Sequence, residues 1–173
     1  MLGQALYGLQ SLGDTPEVRQ LVASLTYFIN DCQEALKPQH LSMSLCGLQS
    51  LGDSREVRGI LAALLPKVKS CQEKWEAHEV TNAVFGLMRM GAFGSDEVMQ
   101  LFAALIPKVE ECPEQLPFGE VAEVLRSLGS LPRSNEVRQL IAALRSKVQD
   151  SSRDYPPVNH PVNHPPDGVL GRK

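Results

Sequence analysis

Cys32, Cys71 and Cys112 each stand two residues before a glutamate, Glu34, Glu73 and Glu114. Thiolates near carboxylates could bind a metal, but a metal needs its ligands gathered around one point. These cysteines recur at intervals of 39 and 41 residues, which reads as one small, semi-buried residue per structural unit. His160 and His164 are four apart in a proline-rich stretch that cannot set them on one helical face. His40 and His78 lack the neighbours of a nucleophilic triad. The glycines fall at predicted helix ends and form no phosphate-cradling loop. The sequence therefore predicts no catalytic residue, metal, cofactor or small-molecule substrate, and a chain that is not an enzyme.

Two rows of cations could do other work. Arg19, Arg58 and Arg138 share one register, interrupted by Met99, and Lys67, Lys108 and Lys147 share another. Equally spaced cations can contact successive phosphates or an acidic partner. The lysines lie near predicted helix C-termini, where the dipole favours them. The arginines lie in first turns, where it does not, and a solvated surface row is the alternative for both.

The elements that carry these rows come from a repeat. GLQSLGD occurs at Gly8–Asp14 and again at Gly47–Asp53, 39 residues later. It becomes GLMRMG at Gly86 and VLRSLG at Val124, while EVRQLVASL at Glu17 returns at Glu56, Glu97 and Glu136. Periods of this length signal stacked repeats.

Each unit predicts two helices. Val57, Ile60, Leu61, Leu64 and Val68 make one apolar stripe at helical spacing, repeated by Val98, Leu101, Phe102, Leu105 and Val109. Val137, Leu140, Ile141, Leu144 and Val148 repeat it again. Thr15, Ser54, Ser95 and Ser134 are expected to cap these second helices, with Glu17, Glu56, Glu97 and Glu136 at the positive end of the dipole. The shorter first helices carry Leu41, Leu45, Leu48 and Leu51, then Val80, Val84, Leu87 and Met90. Gly13, Gly52, Gly91 and Gly129 follow them, where a left-handed residue can end a helix. Pro66 and Pro107 are expected to kink their second helices near Ala62 and Ala103.

The expectation is an all-α, right-handed solenoid of about 3.5 stacked hairpins over residues 1–150. It comprises a partial repeat at 1–36 and repeats at 37–75, 76–116 and 117–150, followed by a disordered proline-rich tail at 151–173. The chain opens inside a first helix, with an apolar flank in place of a polar capping repeat, and so reads as a fragment. With 43% apolar residues it can bury a core. It has no run long enough to cross a membrane and no signal peptide. Its four cysteines read as reduced. A net charge of −3 gives no bulk attraction to polyanions.

Within a stack, matched positions become rows. Gln4, Met43, Asn82 and Glu120 form one row on the first helices, and Gln10, Gln49, Met88 and Arg126 another. Side chains that change from unit to unit while their neighbours stay fixed are what a one-repeat-per-base reader needs, and also what unconstrained surface looks like.

KPQHLSMSLCGLQSLG, Lys37–Gly52, resembles the first helix of octotricopeptide and heptatricopeptide repeats: a Pro-Gln-x-Leu opening, a small residue mid-helix and a Leu-Gly ending. The resemblance covers roughly Leu2–Gln149. It implies an α-solenoid that binds single-stranded RNA in mitochondria or plastids, with Gln4, Met43, Asn82 and Glu120 facing the RNA. The alternative is a protein-interaction scaffold that grips a peptide or partner helix in its groove.

Overall fold

The computed structural model describes residues 2–91 and 94–148; the proline-rich tail expected at 151–173 lies outside them. Among the described residues there are eight α-helices and no β-strand. In chain order they are α1 (Leu2–Gly8), α2 (Pro16–Asp31), α3 (Pro38–Gly47), α4 (Arg55–Ser70), α5 (Ala77–Arg89), α6 (Asp96–Glu111), α7 (Phe118–Gly129) and α8 (Asn135–Lys147). The odd-numbered helices pack in succession, α1 on α3, α3 on α5 and α5 on α7. The even-numbered ones do the same, α2 on α4, α4 on α6 and α6 on α8.

One continuous apolar seam joins the two sets. Ile60, Leu61, Leu64 and Val68 are fully buried, as are Leu101, Phe102, Leu105 and Val109 in the next even helix. Leu41, Leu45, Val80, Val84 and Leu87 close over them from the odd helices, with Leu48 from the turn after α3. The hydroxyls of Thr15, Ser54, Ser95 and Ser134 each accept a hydrogen bond from the backbone N–H three residues on, at 3.2–3.4 Å. Each satisfies one of the donors that a helix start leaves free.

One local expectation changes. Of the four glycines expected to end first helices in the left-handed region, only Gly91 does so, at φ 68°. In the first two units the helix tightens instead into a 3₁₀ turn, Leu9–Ser11 or Leu48–Ser50, and leaves through an extended Leu12 or Leu51. Gly13 and Gly52 lie beyond that turn, and Gly129 is the last residue of α7. At the two prolines the helices continue, as the stripes through Val68 and Val109 require: α4 runs unbroken through Pro66 and α6 through Pro107. Pro66, Ala62, Pro107 and Ala103 are all exposed, so water can satisfy the carbonyls that the missing N–H groups leave free.

The heptapeptide is repeated because its two copies touch. A Cβ added at Gly47 would lie 2.0 Å from the Leu6 carbonyl oxygen, so α1 and α3 meet backbone to backbone. Gln49 Nε2 donates to Gln10 Oε1 at 2.9 Å. The Ser50 hydroxyl donates to the carbonyls of Leu12 and Leu9, at 3.0 and 3.2 Å, closing the end of the preceding 3₁₀ turn. At Gly52 an added Cβ would lie 2.8 Å from Asp14 Oδ2. Gly86 repeats the close approach, its Cβ position 2.5 Å from the Leu45 carbonyl oxygen.

Candidate binding surface

The row Gln4, Met43, Asn82 and Glu120 runs along α1, α3, α5 and α7, with Met43 half-buried and the others exposed. Gly47 and Gly86 hold the first three of these helices at backbone contact. At the matched position α7 carries Val124, 1% exposed, a side chain where the two earlier helices have none. A cleft of about 180 Å³ lies between α5 and α7, lined by Thr81, Asn82, Phe85, Glu120, Glu123 and Val124. Its apolar part is the half-buried Phe85 with Val124, and Asn82, Glu120 and Glu123 are exposed around it. The Arg89 guanidinium stacks over Phe85, 4.6 Å from the ring centroid. The row thus brings Asn82 and Glu120 together. Phe85, Glu123 and Val124 were not singled out from sequence, though the change from GLMRMG to VLRSLG marks the place.

The second row is not a continuous surface. Gln10 and Gln49 are half-buried and bonded to each other, Met88 is 5% exposed within the core, and only Arg126 is exposed. Met88, expected to face a ligand, is instead a packing residue, because its helix turns that position inward.

All the cations of the other two rows except Arg138 have partners inside the chain. Arg19 forks onto Asp14 with two bonds of 2.8 Å, and Arg58 onto Asp53 with bonds of 2.7 and 2.6 Å. This accounts for arginine in the first turn, where the dipole disfavours it: the last residue of GLQSLGD supplies the counter-charge. Arg138 has Arg133 at the register of Asp14 and Asp53, so no fork forms there. The lysines reach across to the preceding unit. Lys67 Nζ donates to the Cys32 carbonyl, Lys108 Nζ to that of Cys71 at 2.6 Å, and Lys147 Nζ to that of Cys112 at 2.8 Å. Cys32, Cys71 and Cys112 are the C-caps of α2, α4 and α6. Each lysine therefore satisfies a carbonyl at a helix's negative end and ties that helix to the next.

The Arg58 fork holds the Asp53 carboxyl below its ordinary value of 3.8, and the Arg19 fork does the same for Asp14. A carboxyl that titrates lower in the folded chain adds stability above its unfolded value, and that stability is lost as pH falls through the folded value. Both pairs are partly exposed, so the effect is small. Asp53→Asn is expected to reduce the loss of urea stability between about pH 4 and pH 2 while leaving the slope above about pH 5 unchanged. An unaltered acid limb would show that the fork contributes nothing.

The cysteines stay apart, one per unit, and their thiols turn onto the carbonyls of Glu34, Glu73 and Glu114 at 3.6–4.0 Å. Burial raises the thiol pKa of Cys46, the fourth cysteine, making it a poor nucleophile at neutral pH. Among the described residues no three His, Cys, Asp or Glu side chains gather where they could hold a metal ion. No described helix is long and apolar enough to cross a membrane. His160 and His164 lie outside the described residues.

Comparison with protein-family models, curated proteins and solved structures finds no match to this chain.

Proposed function

We propose that the chain is a non-enzymatic scaffold, a right-handed α-solenoid of about 3.5 hairpins, that binds a protein partner along its first helices, with the α5–α7 cleft as the principal seat. One observation carries this reading. Five of the six cations in the two rows, Arg19, Arg58, Lys67, Lys108 and Lys147, are bonded to the chain's own carboxylates and carbonyls, whereas Glu120 and Glu123 stand exposed at an apolar cleft. Such a surface suits a peptide that presents a Lys or Arg beside an apolar side chain, with the cation at the carboxylates and the apolar group against Phe85 and Val124.

A display selection of random peptides against the whole chain tests it. Enriched peptides should pair a basic with an apolar residue, and Glu120→Lys with Glu123→Lys should weaken them roughly tenfold or more. Selected peptides that bind the double variant equally well would exclude the cleft.

A second reading is single-stranded RNA along the same row, favoured by the stepwise change Gln4, Met43, Asn82, Glu120 and by the resemblance of Lys37–Gly52 to organellar RNA-binding repeats. RNA affinity would then fall with salt at a log–log slope of about −0.7 per phosphate contact. Retained peptide affinity with no measurable RNA binding between about 50 and 200 mM salt would decide for protein.

A further inference from the structure

The α5–α7 cleft carries charge of both signs, and the two do not meet. Arg89 is exposed at the end of α5, one turn beyond Phe85. Its side chain folds back toward the helix start, so that the guanidinium lies over the ring, 4.6 Å from the centroid. Among the described residues the ion pairs are Arg19–Asp14, Arg58–Asp53 and His78–Glu76. Arg89 therefore pairs with neither Glu120 nor Glu123, although all three stand around the same aromatic side chain. A stacked guanidinium rests on the ring by its face and keeps the N–H groups of its edge free for a carboxylate.

Helix geometry orders these groups along the cleft. Glu120 stands level with Asn82, and Glu123 with Phe85, as the matching of α7 to α5 requires. Arg89 marks the other end. From Asn82 to Arg89 the helix rises by about 10 Å, the length of about three extended residues. A peptide cation at the Arg89 end would meet like charge, as would a peptide acid at the Glu120 end, so the arrangement rejects one placement while favouring the other. The Phe85 ring gives a peptide cation little further reason to sit there, because Arg89 already occupies a face of it.

We infer that the partner segment carries an Asp or Glu side chain as well as its Lys or Arg, with the apolar residue between them, and that Arg89 binds that carboxylate through the free edge of its guanidinium. This rests on the reading of the cleft as a peptide seat, and it adds the ligand's second charge and the residue that selects it. The cation then lies at Glu120 and Glu123, the apolar side chain against Phe85 and Val124, and the acid at Arg89.

Peptides selected on the whole chain, resynthesised with acetylated and amidated ends, test this. Blocked ends remove the terminal carboxylate, so any anion that reaches Arg89 belongs to a side chain. The selected sequences should place an acid and a base on opposite sides of an apolar residue. Changing that acid to its amide should weaken binding about fivefold or more on the parent chain and less than about twofold on Arg89→Gln. Arg89→Glu should reject the acidic peptide by about tenfold or more and regain affinity for the same peptide with Lys in place of the acid. Arg89 is exposed at a helix end, so both variants should keep the helical circular dichroism and urea midpoint of the parent. Peptides that depend on Glu120 and Glu123 but bind Arg89→Glu as they bind the parent would leave the seat in place and overturn the role of Arg89. Binding that needs a free C-terminus and no acidic side chain would overturn it as well. Peptides indifferent to all three residues would remove the seat itself, and this inference with it.

Discussion

Alanine at Gly47 is expected to destabilise the fold by about 3 kcal/mol or more, while alanine at Gly8 is expected to stabilise it by up to about 1 kcal/mol. The local sequence is GLQSLGD in both places, and both glycines have right-handed helical backbone, φ −63° and −61°. Local propensity therefore favours alanine equally at each. The difference is tertiary. At Gly47 the new methyl would stand 2.0 Å from the Leu6 carbonyl oxygen and 2.7 Å from the Tyr7 Cα, both backbone atoms fixed in α1. Only separation of α1 from α3 relieves that overlap, and it would open the seam at Leu6, Leu45 and Leu48. At Gly8 the methyl meets nothing. Urea denaturation of the two variants measures the contrast, and equal effects of either sign would show that α3 does not rest on α1 through Gly47.

That contrast also marks where reading the sequence stops. The second-helix stripes, the four hydroxyl caps and the alternation of long and short helices were legible because each depends on residues within one or two turns of one another. Val57, Ile60, Leu61, Leu64 and Val68 declare a helix face by spacing alone, and Ser54 declares its start. The purpose of the glycines was not legible. A glycine after a Leu-rich helix suggests a left-handed stop, and Gly91 is one. Gly47 and Gly86 are small because another helix lies against them, which no window along the chain contains. The lysines present the same difficulty. Their position near helix C-termini suggested a dipole effect on their own helix, and each instead caps the helix of the preceding unit, 35–37 residues away. The candidate site divides in the same manner. Asn82 and Glu120 were found by matching units, whereas the cleft that joins them arises where a unit departs from the match, at Val124.

Truncating Phe102 to alanine should cost about 3–5 kcal/mol, the range for emptying a buried aromatic site. Phe102 is fully buried on α6, at the register held by Val22, Leu61 and Ile141 in the other even helices. That register faces the following unit, so the lost side chain lies between α6 and α8. The packing of α8 on the rest of the chain runs mainly through α6. A loss comparable to much of the 5–15 kcal/mol that a domain of this kind has available should therefore fall on α7 and α8 first. Trp75, the single tryptophan, provides a remote reporter, fully buried between the end of α4 and the start of α5. In the parent chain urea should move its fluorescence and the helical circular dichroism together. In Phe102→Ala, helix content should begin to fall at lower urea than the fluorescence, as α7 and α8 detach while the earlier helices still cover Trp75. A single coincident transition shifted by less than about 1 kcal/mol would mean that Phe102 does not hold the α6–α8 joint together, and the view of the chain as successive units, each stabilised by its neighbour, would fail at that joint.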